Sequence, residues 1–265
     1  ESAFLRLEVR IDNEPAVALY RKTGYHPIAR LPEYYEDGAE GVRLEKSIRR
    51  QRASNAPVTR YYQQTTPFTC GPASLLMALQ RFDNNYTGSA QEELRIWRES
   101  TTIYMTSGHG GCSPQGLALS AVARGLKVEL YSDPPGVPFI EGVRDPGKKR
   151  VIEIVHEDYK SKLPNAGIKE HNQLLGSEDL VAAIQQGSLA ICLISTWRLN
   201  RNRAPHWVLI SGADSGHLYI CDPDYEYEPW HTELDYLDVP ITPTEFSLMA
   251  RYGRNRLHAT LLLSP

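Results

Sequence analysis

Polar and apolar positions alternate over Phe4–Arg10, as in a strand with one covered face. The period then lengthens. Ala16, Val17, Leu19 and Tyr20 predict a helix that Asn13 can cap and Gly24 can end. His26–Leu31 and residues 41–46 return to strand pattern, separated by the turn dipeptide Asp37-Gly38. The first 48 residues therefore predict a β-α-β-β unit, short for a domain standing alone. Residues 49–60 are basic, poor in large apolar side chains and without a period, which predicts a solvated connector. A second domain is expected over residues 61–265.

In that domain Leu75, Leu76, Leu79 and Phe82 recur on one face of a helix that Cys70-Gly71-Pro72 would open. Residues 90–97 carry Leu94 and Trp97 on one side and predict another helix. Residues 114–124, ended by Gly125, predict a third. A fourth starts at Ser177, with Glu178 and Asp179 in its first turn, and stops at Gly187. Residues 127–131 alternate as a strand. Residues 189–194 are apolar throughout, the mark of a strand covered on both faces. Two further strands, 206–212 and 217–223, flank the turn Asp214-Ser215-Gly216. Residues 134–149, rich in proline, glycine and charge, read as loop. Helices together with an antiparallel sheet make the fold class α+β.

Composition narrows the classes of function. The chain has 265 residues, 41% hydrophobic and 23% charged, with a net charge of −3, so it carries no basic footprint for nucleic acid. No apolar run is long enough to span a bilayer, and the first residues have no signal-peptide pattern. The four cysteines form no C-x-x-C pair, which argues against a metal site and for reduced thiols in a cytoplasmic protein. Gly142 to Lys148 nearly spell a phosphate-binding loop, but Lys149 stands where Ser or Thr must hold Mg²⁺. The glycine-rich residues 107–113 lack both a clear preceding strand and a following lysine. Neither is read as a nucleotide site.

The residues that carry chemistry are spread along the second domain. Cys70 would lie at a helix N-terminus, where unpaired N–H groups and the helix dipole favour thiolate. Gln64, six residues upstream, could aim an amide N–H at a developing oxyanion. A thiolate nucleophile needs a base, and histidine has the matching pKa range. His206 opens one strand of the hairpin and Asp222 closes the other, so the two meet at one end of the sheet. Each residue also has a plainer reading: a packed thiol, a strand-start histidine, and an Asp-Pro turn. The competing histidines are His109, His156, His171, His217, His231 and His258, of which only His109 falls in a loop able to face a cleft.

Two resemblances follow from these motifs. Leu7 to Arg10, Asn13, the run Ala16 to Tyr25 and Tyr34-Tyr35 resemble the C-terminal half of a GNAT-type N-acetyltransferase over residues 1 to 48. That resemblance implies that Asn13 contacts coenzyme A and Tyr20 acts as general acid. The family's pyrophosphate-binding loop would lie before residue 1, so acetyl-CoA is an expected cofactor only where that half is present. A helix cap for Asn13 and a packed aromatic for Tyr20 is the preferred reading of this stretch.

Gln64 to Ala73, Gly111-Cys112-Ser113 entering a helix, Leu180 to Gly187, and His206 to Leu209 with Asp222-Pro223 together resemble a C39-type cysteine peptidase with a papain-like fold. The resemblance implies Cys70 as nucleophile, His206 as general base, Asp222 as its orienter, and Gln64 with the Cys70 backbone N–H as oxyanion donors. The two parts in series resemble bacterial fusions of these domains. The expected function is a cysteine peptidase that cleaves a peptide or isopeptide bond of a peptide or protein substrate through a thioester. The alternatives are N-acetyl transfer by the first unit, a papain-like module that only binds peptides, or acyl transfer to an amine.

Overall fold

A computed structural model describes residues 4–47, 58–102, 104–105, 108–197, 204–225 and 232–265. The chain divides into two compact units, Glu1–Ala56 and Pro57–Pro265.

In the smaller unit β1 (Phe4–Arg10), α1 (Glu14–Lys22), β2 (His26–Leu31) and β3 (Gly41–Ser47) follow the predicted order, and the antiparallel sheet runs β1-β3-β2. Val9, Val42 and Leu44 form its core, with Val17 and Tyr20 packed against them. The Asn13 side chain accepts from the Ala16 N–H at 3.2 Å and caps α1, while Tyr20 meets Tyr25 edge-on at 5.5 Å. Cross-strand pairs Arg6–Glu45 and Arg43–Glu8, at 2.7 and 2.8 Å, tie β1 to β3.

The larger unit is built on a seven-stranded sheet. Its strands are β6 (Lys127–Asp133), β7 (Lys169–His171), β8 (Leu189–Ser195), β9 (Pro205–Ala213), β10 (Leu218–Cys221), β11 (Val239–Ile241) and β12 (His258–Ser264), in the order β11-β10-β9-β8-β12-β6-β7. A short hairpin, β4 (Tyr104–Met105) and β5 (Gly108–His109), stands apart. The large sheet is antiparallel except at one edge, where β7 runs parallel to β6. It is therefore mixed, where the sequence predicts a wholly antiparallel one.

Helices cover both faces of the sheet. Leu75 and Leu76 of α2 (Cys70–Phe82) and Leu117 of α4 (Pro114–Val122) pack on Ile191, Leu193, Trp207 and Leu209. On the other face Leu180 and Ile184 of α6 (Ser177–Gln185) and Phe246 of α7 (Pro243–Met249) pack on Cys192, Ile194, Val208 and Ile210. Alternate residues of β8 thus enter opposite layers, which is why its sequence is apolar without a break. α3 (Ala90–Ser100) lies beside α2 and α4.

Some expectations are corrected here. Residues 134–149 are not all loop, because α5 (Pro146–Lys162) begins within them: the Asp145 side chain accepts from the Lys148 N–H at 2.8 Å and Pro146 occupies the first turn. Gly147 and Lys148, the tail of the near-miss phosphate motif, are that first turn. The connector 49–60 is shorter than predicted at its far end. Thr59 is fully buried, and Arg60 donates to the carbonyls of Asn84 and Tyr86 at 2.8 Å each, within the larger unit. Residues 49–57 of that stretch lie outside the described residues.

Candidate active site

Cys70 is the first residue of α2. Its N–H is one of the first-turn donors that a helix leaves without an internal acceptor. The chain enters α2 through a tight turn in which the Thr69 hydroxyl donates to the Thr66 carbonyl at 3.0 Å and its N–H to the same oxygen at 3.3 Å. Gly71 allows close packing behind the thiol. A Cβ there would sit 3.3 Å from both Leu117 Cδ2 and Trp207 Cδ1, and 3.4 Å from Cys112 Cβ.

His206 is the second residue of β9 and is 6% exposed. Asp222 follows the last residue of β10, and the His206 Nε2 to Asp222 Oδ1 distance is 2.7 Å. The Cys70 sulfur interacts with the same ring, and with Nε2 taken by Asp222 the nitrogen left for it is Nδ1. Burial pulls the imidazole towards its neutral form. The charge and hydrogen bond of Asp222, and then the Cys70 sulfur, outweigh this and hold the ring's pKa well above its ordinary 6.5. Ser74, one turn into α2, donates its hydroxyl to the Trp207 carbonyl at 3.2 Å, and the Trp207 indole donates to the Cys112 carbonyl at 3.2 Å. The first bond joins α2 to β9, four residues from Cys70 and one from His206; the second joins β9 to the loop before α4.

Gln64 lies on an extended arm strung beside the Asp222–Asp224 loop. The Gln64 N–H donates to the Pro223 carbonyl at 2.9 Å, and the Tyr61 hydroxyl donates to the Asp222 carbonyl at 2.9 Å. The Gln64 amide nitrogen donates to Asp224 Oδ1 at 2.7 Å, and the Asp224 N–H donates to Asp222 Oδ1 at 2.9 Å. One of the two amide protons is therefore committed to Asp224 and one remains.

A cleft of about 790 Å³ opens at Cys70. Phe68, Phe139, Trp207, Tyr252 and Leu257 give it apolar walls, with Phe139 and Tyr252 edge to face at 6.0 Å. Arg144, Arg254 and Glu141 also line it, and all three are exposed.

The other thiols sit in different surroundings. Burial, then the nearby Cys70, pushes the Cys112 thiol well above its ordinary range. Burial raises Cys192 and Cys221 to about 12. Among the other histidines, His258 is buried and bonded to the Ala250 carbonyl at 3.0 Å and Thr260 at 3.1 Å. His171 stacks on Tyr131, His156 is buried in α5 and His217 lies by Asp214; His231 is outside the described residues. Asn13 and Tyr20 belong to the smaller unit, in the structural roles given above. No group of three or more metal-ligating side chains occurs among the described residues, and no described helix is long and apolar enough to cross a membrane.

Sequence reasoning missed Glu93, Asp224, Tyr61 and Ser74. Each acts through a partner tens of residues away or more, and none lies in a local pattern that announces it.

A helix that opens on a cysteine, packed on a sheet with a histidine–aspartate pair at one end, is an arrangement found in papain-like folds. The chain belongs to the Peptidase_C39 like family, whose model matches residues 59–264. Residues 1–58 lie outside that match. Among solved structures it is similar to that of a "putative C39-like peptidase" from Bacillus anthracis, with 13% identity and a TM-score of 0.41 over 78% of this chain and 95% of that one. No curated protein matches the chain.

Proposed function

We propose that the larger unit is a cysteine peptidase that cleaves a peptide or isopeptide bond through a thioester. The observation that carries this reading is the single His206 ring shared by Cys70 and Asp222. In the reaction the Cys70 thiol gives its proton to His206 Nδ1, and the sulfur attacks the substrate carbonyl carbon. The Cys70 N–H and the free Gln64 amide proton stabilise the oxyanion. The C–N bond breaks as His206 returns the proton to the leaving amine, which leaves an acyl group on sulfur. Water, deprotonated by His206, then attacks the thioester and releases the acid and the thiol.

The substrate chain lies in the cleft beside Cys70, against its apolar walls. The four cysteines are free and buried, which suits a reducing compartment such as the cytoplasm. No observation favours the acetyl-transfer reading of the first unit, since Asn13 and Tyr20 both have structural partners.

The test is to incubate the protein with a proteome-derived peptide library and read new termini by mass spectrometry. Cleavage by the wild type and none by Cys70→Ala is the expected result; equal cleavage by both overturns the proposal. Adding a primary amine to the same reaction shows whether water or an amine takes the acyl group.

A further inference from the structure

Glu93 in α3 is 0% exposed, and among the described residues its carboxylate has no cationic partner. A charge so placed is costly unless it is well hydrogen-bonded. Glu93 Oε2 accepts from the Tyr62 hydroxyl at 2.9 Å, and Oε1 accepts from the Thr65 N–H at 2.8 Å. These two donors bracket Gln63 and Gln64 in the sequence. On its other side the same arm is held by the Asp222–Asp224 loop through Tyr61, the Gln64 N–H and the Gln64 amide. Beyond Thr65 comes the Thr66–Thr69 turn and then Cys70.

The arm is thus suspended between α3 and the loop that carries Asp222. Among the described residues Glu93 supplies two hydrogen bonds on the α3 side, one on each flank of Gln63-Gln64. A carboxylate suits this place because both donors need an acceptor and a carboxylate offers nothing else. A glutamine of equal shape could keep both contacts, its oxygen on the Thr65 N–H and its N–H₂ on the Tyr62 hydroxyl oxygen, so a side chain with no acceptor, such as leucine, is what releases the arm.

We propose that Glu93 is a positioning residue for the oxyanion site. It acts through Thr65 and Tyr62 on Gln64 and does not touch the Cys70–His206–Asp222 set. This rests on the peptidase reading above.

The test uses an internally quenched peptide drawn from the library hits, the aldehyde of the same sequence, and the variants Glu93→Leu, Tyr62→Phe and Gln64→Ala in the full chain. Glu93→Leu is expected to lower kcat about 10- to 100-fold with KM little changed, as a displaced oxyanion donor does. Binding of the aldehyde, whose adduct carries the oxyanion, should weaken by a similar factor. The rate and pH profile of Cys70 alkylation should not move, because the base and its orienter are untouched. Tyr62→Phe removes one of the two bonds and should give a smaller loss of the same kind; it also decides the matter if Glu93→Leu fails to fold. A folded variant with unchanged kcat overturns the proposal. So does alkylation that slows in step with kcat, since Glu93 would then support the whole site. Normal turnover in Gln64→Ala removes the oxyanion role and this proposal while leaving the peptidase standing. Absence of turnover in the wild type defeats the peptidase reading itself.

Discussion

His206 and Asp222 meet at 2.7 Å although they are not paired in the sheet. The register sets Cys221 opposite Leu209, with a bulge at Tyr219/Ile220, so Asp222 lies past the end of β10 and reaches along β9 to the ring. Past the ladder the Asp224 N–H donates to the same Asp222 oxygen at 2.9 Å, which helps hold the carboxylate against the imidazole.

This pairing sets a pH dependence. The folded pKa of His206 is raised, so its contribution to stability is complete below the ordinary value of 6.5 and is lost as pH rises through the folded value. Above 6.5 the unfolded chain has released its proton while the native protein keeps it, and stability falls with pH. Asp222→Asn should lower the His206 pKa, seen by NMR of the ring. The stability gap between wild type and variant, from denaturant melts at several pH values, should be widest below pH 6.5 and narrow upward. A gap that widens with pH would contradict the assignment.

The surroundings of the four thiols predict selective alkylation. Cys70 and Cys112 both line the cleft, but it is Cys70 that shares the His206 ring, and burial raises the thiol pKa of Cys112, Cys192 and Cys221. Limited iodoacetamide at neutral pH should modify Cys70 first, read by peptide mapping, and His206→Ala should remove that preference.

Gly71→Ala should destabilise the larger unit by about 1–3 kcal/mol, since the new methyl must displace Leu117 or Trp207 in a packed core. Shifting Trp207 disturbs the strand that holds His206, so activity should fall with melting temperature. Calorimetry with a turnover assay checks both.

Charge at the cleft predicts a substrate preference. Arg144 and Arg254 outnumber Glu141 among the charged side chains that line it. Peptides with acidic residues near the cleaved bond should show higher kcat/KM than neutral ones, and Arg254→Glu should reverse the order. The effect should weaken at high salt, because exposed charges are screened.

Much of this site could be read along the chain. Cys70 had a proline two residues on and a leucine stripe behind it; His206 and Asp222 bounded two apolar strands around a short turn. Those are local signals, and the hairpin converts them into proximity. Glu93 was not legible because it stands beside Glu92 in an acidic helical turn. Only packing decides which of the two turns inward, and Glu92 instead pairs with Arg124 on the outer side. The Gln64 amide bond to Asp224 spans 160 residues and leaves no trace in either neighbourhood. α5 was hidden by its own start, where proline, glycine and lysines precede the first buried residue, Ile152. The strand β12 also passed unread, although Leu261, Leu262 and Leu263 mark it as covered on both faces.

That strand has a consequence for how the protein comes to be made. β12 alone joins β8 to β6, so until residues 258–264 have left the ribosome the sheet exists as two separate pieces, four strands and two. The nascent chain must hold both apart from unwanted strand pairing, and closing so distant a contact is slow. Tyr252 and Leu257, which wall the cleft, are also synthesised late. A chain halted before Tyr252 would carry the thiol, the imidazole and the carboxylate, yet lack the side chains that finish the groove in which to use them.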